Sequence, residues 1–198
     1  MVTVLITGGA RSGKSTFAEQ YAQRSGTRGI YIATAQPYDE EMRERLRLHR
    51  TRREQSGFPW RTVEEPYELA PLLRRLDAEH AASPDSSSVV LVDCLTLWLS
   101  NRLLRCEEKD ADRGAPEAEM EEAIRELVEA AVAYRGPLLL VTNEVGSGIV
   151  PEYPLGRRFR DYAGWLNREL AAACDRAFLV VAGYPLDLKQ LAFRLESP

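Results

Sequence analysis

The sequence predicts an α/β fold with a doubly wound, mostly parallel sheet and helices on both faces. Three observations predict it. Short apolar runs at 2–7, 30–34, 89–93, 138–142 and 177–182 alternate with stretches of helical pattern. The runs are continuously apolar, as strands covered on both sides are. The first of them, Val2-Thr3-Val4-Leu5-Ile6-Thr7, passes without a break into Gly8-Gly9-Ala10-Arg11-Ser12-Gly13-Lys14-Ser15 and then into a helix.

That junction reads G-x-x-x-x-G-K-S between a strand and a helix, the arrangement of a phosphate-binding P-loop. The fold is therefore expected to be of the P-loop NTPase type. Its glycines let the backbone curl so that successive N–H groups point at phosphate oxygens. The start of the helix, from Thr16 to Gln23, adds its partial positive charge to the same spot. Lys14 is placed to reach the β- and γ-phosphates, and the Ser15 hydroxyl to ligand Mg²⁺. A nucleoside triphosphate is the expected ligand.

The second run, Ile30-Tyr31-Ile32-Ala33-Thr34, ends in small and polar residues before Pro37. Ligands of such sheets sit beyond the C-terminal ends of the strands, which puts Thr34, Ala35 and Gln36 near the nucleotide. Residues 39–53 then read as a helix with acids first and arginines last, both suited to its dipole. Met42, Leu46 and His49 share one stripe at i, i+4, i+7 spacing, so His49 faces the protein. On spacing alone it is either a half-buried structural histidine or a reactive group. Arg61 to Glu65 reads as a short extended segment, and Pro66 opens a helix running to about Ala82. His80, the only other histidine, falls near that helix's end and is expected at the surface.

Val89-Val90-Leu91-Val92-Asp93 is a buried strand closing on a carboxylate, as P-loop enzymes use for Mg²⁺. An apolar helix follows from Leu95 to Leu104, whose Trp98, Leu99 and Leu103 suit either a core or an interface. Glu107 to Glu117, with Gly114 and Pro116, is expected as a surface loop, and an amphipathic helix continues to Tyr134. Asn143 and Glu144 close the strand 138–142. Glu144 is thus a second candidate at the site, or the cap of a local turn. The helix from Gly156 to Cys174 carries Arg157, Arg158, Arg160 and Asp161 early, where arginine opposes the dipole and a ligand or partner would explain it.

With 198 residues, 44% hydrophobic and 28% charged, the chain suits one globular catalytic domain, 1–198. A net charge of −4 argues against a general nucleic-acid binder. No apolar run approaches the roughly 20 residues of a membrane span, and an N-terminus that is a core strand is not a removable signal. Cys94, Cys106 and Cys174 match neither a disulfide framework nor a metal-ligand spacing, so a reduced, cytoplasmic compartment is expected.

Several phrases stand together in the order of one family. They are Thr7 to Ser15, Tyr31-Ile32-Ala33-Thr34, Met42-x-x-Arg45-Leu46-x-x-His49-Arg50, Val92-Asp93-Cys94-Leu95-Thr96, Thr142-Asn143-Glu144-Val145-Gly146 and Phe159-Arg160-Asp161. From Val2 to about Lys189 the chain resembles the bifunctional adenosylcobinamide kinase / adenosylcobinamide-phosphate guanylyltransferase family of cobalamin biosynthesis. It departs slightly after His49, where no proline directly follows the arginines, and Asp93 stands where some members carry Glu.

The resemblance implies two reactions at one nucleotide region. ATP or GTP phosphorylates the aminopropanol hydroxyl of adenosylcobinamide; GTP then gives GMP to that phosphate, releasing pyrophosphate and yielding adenosylcobinamide-GDP. It implies that His49 is the nucleophile, forming a guanylyl-histidine, with Lys14 as its catalytic companion and Mg²⁺ on Ser15 and Asp93. Arg50, Thr51, Arg52, Arg53 and Glu64 are implied around the guanylylated nucleotide, with Glu64 suited to guanine's N1–H and N2–H₂ edge. Either Asp93 or Glu144 is the group that takes the substrate hydroxyl's proton; Glu144, with Arg160 and Asp161, is expected on the substrate side, and the resemblance implies a homotrimer. The alternative within enzymes is a monofunctional small-molecule P-loop kinase with a structural His49. A GTP-dependent switch is disfavoured, because Thr142-Asn143-Glu144-Val145 lacks the lysine of Asn-Lys-x-Asp.

Overall fold

A computed structural model of the chain describes residues 2–36, 40–82, 88–109 and 116–193. The first half runs β1 (Thr3–Gly8), α1 (Lys14–Ser25), β2 (Arg28–Ala33), α2 (Glu40–Gln55), β3 (Trp60–Glu64) and α3 (Leu69–Ala82). The second half runs β4 (Ser88–Asp93), α4 (Leu95–Lys109), α5 (Pro116–Ala133), β5 (Leu138–Val141), α6 (Pro154–Ala173), β6 (Arg176–Val181), β7 (Tyr184–Asp187) and α7 (Leu188–Leu191). Each β-strand except β6, which turns back into β7, is followed by a helix. The strands form one sheet in the order β3-β2-β4-β5-β1-β6-β7. All pairings are parallel except β6 with β7. The predicted doubly wound α/β architecture is therefore the observed one.

Alternation along each strand divides the apolar side chains between two cores. Leu5, Val90, Val92, Leu138 and Leu140 face the layer of α3, α4, α5 and α6. Val4, Ile6, Val89, Leu91, Leu139 and Val141 face the layer of α1. Burying each such side chain contributes about 1.5–3 kcal/mol, which is why the central strands are apolar on both sides. Trp98 (2% exposed), Leu99 and Leu103 belong to the first core, so the core reading of these positions holds and the interface reading does not. The Trp98 indole N–H donates to the Tyr67 carbonyl at 2.7 Å, satisfying its one polar atom inside that core.

Several boundaries differ from expectation. The 61–65 segment is a full edge strand, β3, pairing with β2 from Gly29↔Trp60 to Ala33↔Glu64. α4 runs on through Glu107 to Lys109, into what reads as loop; residues 110–115 of that loop lie outside the described ones. α6 starts at Pro154, which suits a helix's first turn because proline lacks the N–H that goes unpaired there. β7 was not expected. It pairs antiparallel with β6 through a two-residue turn in which Ala182 and Gly183 both have positive φ (50° and 85°), the geometry of a tight hairpin. No described helix is long and apolar enough to cross a membrane.

β1 lies between β5 and β6, so the loop that follows it emerges in the middle of the sheet's C-terminal edge. Gly8 is required there by proximity, since a Cβ would sit 2.5 Å from the Val180 carbonyl oxygen of β6. Gly8→Ala is expected to cost about 1–3 kcal/mol by forcing two paired strands apart. At Gly9, a Cβ would meet nothing within 4 Å, so Gly9→Ala is expected to cost less. Urea unfolding midpoints of the two variants check the contrast.

Candidate active site

The loop after β1 is built to leave backbone N–H groups for a ligand. Arg11 (φ 57°) and Gly13 (φ 95°) turn left-handed, which only glycine adopts without cost. Gly13 leads into α1, whose start has neither a side-chain cap nor an acidic residue in its first turn. A helix end so left uncapped favours an anion. Gly9, Ala10 and Arg11 are exposed, Ser12 and Gly13 half-buried, and Lys14 buried, its ammonium donating to the Gly9 carbonyl at 3.0 Å. The β6–β7 turn braces the loop from behind, with the Gly183 N–H donating to the Ser12 carbonyl at 2.9 Å.

Facing this loop is a cavity of about 280 Å³. Lys14 and Ser15 line it from α1, Ala35 from the segment after β2, and Asp93 from the end of β4. Thr62 and Glu64 reach it from β3, and Asn143 from the segment after β5. The far wall is α2, which contributes Met42, Leu46 and His49 from its single stripe, together with Arg50 and Arg53. The helical spacing thus carries His49 to the same cavity as the P-loop lysine.

Charge inside the cavity is arranged unequally. Arg53 is only 5% exposed, its guanidinium lies 3.5 Å from the centre of the Tyr31 ring, and its buried Nη1 has no hydrogen-bond partner among the described residues. A buried guanidinium held by a ring face retains donors for an anion. The Tyr31 hydroxyl donates to Asp93 Oδ2 at 3.1 Å. Burial, and next the Asp93 charge, push the Tyr31 phenol well above its usual range, so it stays a donor. Burial likewise pushes the Cys94 thiol up to about 11, which keeps it protonated and a poor nucleophile despite its place in the cavity wall. Among the described residues no group of three or more His, Cys, Asp or Glu gathers as a metal site. Ser15 and Asp93 instead offer two hard oxygen donors beside the phosphate loop. That set fits Mg²⁺, which takes few protein ligands and completes its shell with phosphates and water.

Other expected site residues lie outside this cavity, for visible reasons. The Thr34 hydroxyl donates to the Cys94 carbonyl (2.7 Å) and accepts from the Cys94 N–H (3.0 Å), holding the turn after β4. The Gln36 amide donates to the Tyr67 hydroxyl at 2.9 Å. Thr51 is half-buried and away from the cavity. Arg52 donates to both carboxylate oxygens of Glu19 (2.8 and 3.1 Å) and to the Thr16 hydroxyl (2.9 Å), tying α2 to α1. Glu144 accepts from the Gly146 N–H at 3.1 Å, as the turn-capping alternative has it, and the neighbouring Asn143 reaches the cavity instead. Arg160 donates to the Gly146 carbonyl at 2.8 Å and, with Asp161 and Trp165, lines a separate depression.

The helix-start arginines are explained within the chain as well. Arg157 donates to the Pro151 and Glu152 carbonyls, and Arg158 pairs with Glu107 at 2.8 Å. His80 is half-buried, beside the Tyr134 ring, and less exposed than expected. Tyr31, Thr62 and Asn143 are cavity residues that sequence reasoning did not assign. Tyr31 was legible only through its place in a strand whose next turn was already assigned to the site.

Glu19 illustrates what holds α2. Burial raises its carboxyl above the usual 4.5, and the Arg52 hydrogen bonds and charge pull it back. Replacing Arg52 by methionine leaves that carboxylate buried and unpaired. Arg52→Met is therefore expected to destabilise most near neutral pH and progressively less as pH falls toward 4.5, where a raised carboxyl takes up its proton. Glu19→Gln should show no such pH dependence. Thermal melts of both variants across pH check the sign.

Comparison with known proteins agrees with this geometry. Residues 4–188 match the cobinamide kinase / cobinamide phosphate guanyltransferase family. The chain is 45% identical over 185 residues to the bifunctional adenosylcobalamin biosynthesis protein CobP of Pseudomonas aeruginosa, covering 93% of this chain and 96% of that one. It is 42% identical to CobU of Escherichia coli and 38% identical to CobU of Salmonella typhimurium, each over 94% of this chain and 99% of the relative. Among solved structures, the ATPase domain of a helicase shares the fold at 13% identity, with a TM-score of 0.52 over 90% of this chain and 68% of that one. Built on the same P-loop sheet and matched along nearly its whole length, the chain belongs to the cobinamide kinase / cobinamide phosphate guanyltransferase family.

Proposed function

We propose that the chain performs both reactions at this one cavity, with His49 as the covalent nucleophile of the second. The observation that carries the reading is the meeting of Lys14 and His49, brought from different helices, at one cavity beside the phosphate loop. In the kinase step the loop and Lys14 hold the β- and γ-phosphates of ATP or GTP while the aminopropanol hydroxyl of adenosylcobinamide, losing its proton, attacks the γ-phosphorus; the bond to the β,γ-bridging oxygen breaks and ADP or GDP leaves. In the second step an imidazole nitrogen of His49 attacks the α-phosphorus of GTP. The N–P bond forms, the bond to the β-phosphate oxygen breaks, and pyrophosphate leaves. A phosphate oxygen of adenosylcobinamide phosphate then attacks the same phosphorus, releasing His49 and forming the GDP adduct.

A Mg²⁺ held by Ser15, Asp93 and phosphate oxygens would supply charge neutralisation on the transferring groups. Glu64 is assigned to guanine: a carboxylate accepts from both N1–H and N2–H₂, a donor pair that adenine lacks. Arg50 and Arg53 are assigned to the phosphates, and Ala35 to the nucleotide wall. Glu144, Arg160 and Asp161 are assigned to the substrate side, where Glu144 and Arg160 both hold Gly146. The reading extends to one catalytic domain acting as a cytoplasmic homotrimer.

GTP labelled at its α-phosphate tests the covalent step. Protein label that is acid-labile and alkali-stable, and absent in His49→Ala, is expected for a phosphoramidate. Equal labelling of that variant overturns the role of His49; no label in wild type, with γ-phosphoryl transfer intact, indicates a monofunctional kinase. Lys14→Ala is expected to lower kcat/KM for both half-reactions by roughly 100-fold or more, as loss of a transition-state charge partner does. Product analysis with adenosylcobinamide and GTP reads both steps.

A further inference from the structure

We propose that Tyr31 is a positioning residue that sets two groups of the site at once. Its hydroxyl orients the Asp93 carboxylate, and its ring face seats Arg53 without taking up the in-plane N–H donors, which are left for a nucleotide phosphate. The inference rests on the roles given above to Asp93 and to the nucleotide.

Tyr31 lies inside the sheet, with Thr62 of β3 on one side and Leu91 of β4 on the other. It is 5% exposed, and the Trp60 ring meets it edge-on at 6.1 Å between centroids, so neither strand nor ring has room to shift. From this fixed base the hydroxyl reaches Asp93 Oδ2 at 3.1 Å. A phenol has a single proton to donate, and giving it to one carboxylate oxygen selects one orientation of the group that closes β4.

The other contact explains how Arg53 remains available. A carboxylate in place of the ring would neutralise the guanidinium and occupy its in-plane N–H donors. The negative face of an aromatic ring stabilises the same cation from above and leaves those donors uncommitted. Arg53 shows this outcome: the residue lines the cavity, is buried and stacked at 3.5 Å, and its Nη1 has no partner among the described residues. Arg52, one residue earlier, shows the contrary case, with its donors taken up by Glu19 and Thr16.

The two contacts separate by mutation. Tyr31→Phe keeps the ring face and deletes the donor; Tyr31→Leu deletes both; Arg53→Lys keeps the charge and loses the planar stack. Mn²⁺ binding to the complex with a non-hydrolysable GTP analogue, followed by electron paramagnetic resonance, reads Asp93. Metal-free binding of the same analogue, followed by calorimetry, reads Arg53. Tyr31→Phe is expected to weaken Mn²⁺ binding about tenfold, the scale of one lost hydrogen bond to a charged group, and to leave metal-free binding unchanged. Tyr31→Leu and Arg53→Lys are expected to weaken metal-free binding by about tenfold, as loss of a buried cation–π contact with its oriented donors would.

Thermal melting confirms folding; where Tyr31→Leu does not fold, Arg53→Lys supplies that arm. Wild-type Mn²⁺ affinity in Tyr31→Phe, or wild-type metal-free affinity in the folded Tyr31→Leu or in Arg53→Lys, overturns the proposal while the two-step reading stands. A wild-type protein that binds neither the analogue nor Mn²⁺ overturns both.

Discussion

The site depends on how one very polar helix is fastened to the sheet. Among the described residues of α2, Arg53 is the only buried side chain, so this helix is not held as α3 to α6 are, by an apolar stripe sunk in a core. It is held by two adjacent arginines. Because neighbouring residues on a helix point about 100° apart, Arg52 turns to Glu19 and Thr16 on α1 while Arg53 turns to Tyr31 on β2. One arginine thus references the helix to the phosphate loop's own helix and the other to the sheet. His49, one turn away on the cavity side, takes its position from both.

Charged fastenings differ from apolar ones in a way that suits a reacting centre. An apolar stripe would have closed the space between α2 and the strand ends, since interiors pack without voids. Arginines reach across it on long side chains and leave a cavity whose walls are polar at Lys14, Ser15 and Asp93 and apolar at Met42, Leu46 and Leu97. The buried Glu19 carboxylate is the local cost, offset by its bidentate partner. The other arginine, Arg53, lines the cavity without a carboxylate partner of its own among the described residues.

How much of this could be read from residues alone follows the physics of each element. The central strands were legible because burial on both faces demands unbroken apolar runs. β3 was only half legible, since an edge strand packs less and Trp60-Arg61-Thr62-Val63-Glu64 mixes polar and apolar residues. β7 was not legible: three of its four residues, Pro185 among them, are exposed and carry no burial signal, and proline is tolerated there because the strand is an edge. At the site, the P-loop and the His49 stripe were legible because backbone geometry and helical period dictate them. That Thr34 and Arg52 have partners inside the chain was not legible, because a hydroxyl that holds a turn and one that holds a ligand look alike in sequence, as do arginines facing a ligand and arginines facing a glutamate. Tyr31 went unassigned because a buried aromatic in a strand reads first as core.

The brace between Gly183 and Ser12 bears on how the protein is made. β1 is synthesised first, yet both of its neighbours, β5 and β6, and the turn that steadies its loop come from residues 138 to 183. At ribosomal speeds the wait from Ser12 to Gly183 is roughly ten to thirty seconds. Until β5 is made the glycine-rich loop has no neighbouring strand, and until Gly183 is made the turn that steadies it is missing. The brace of the phosphate loop is therefore completed only with the sheet's last hairpin.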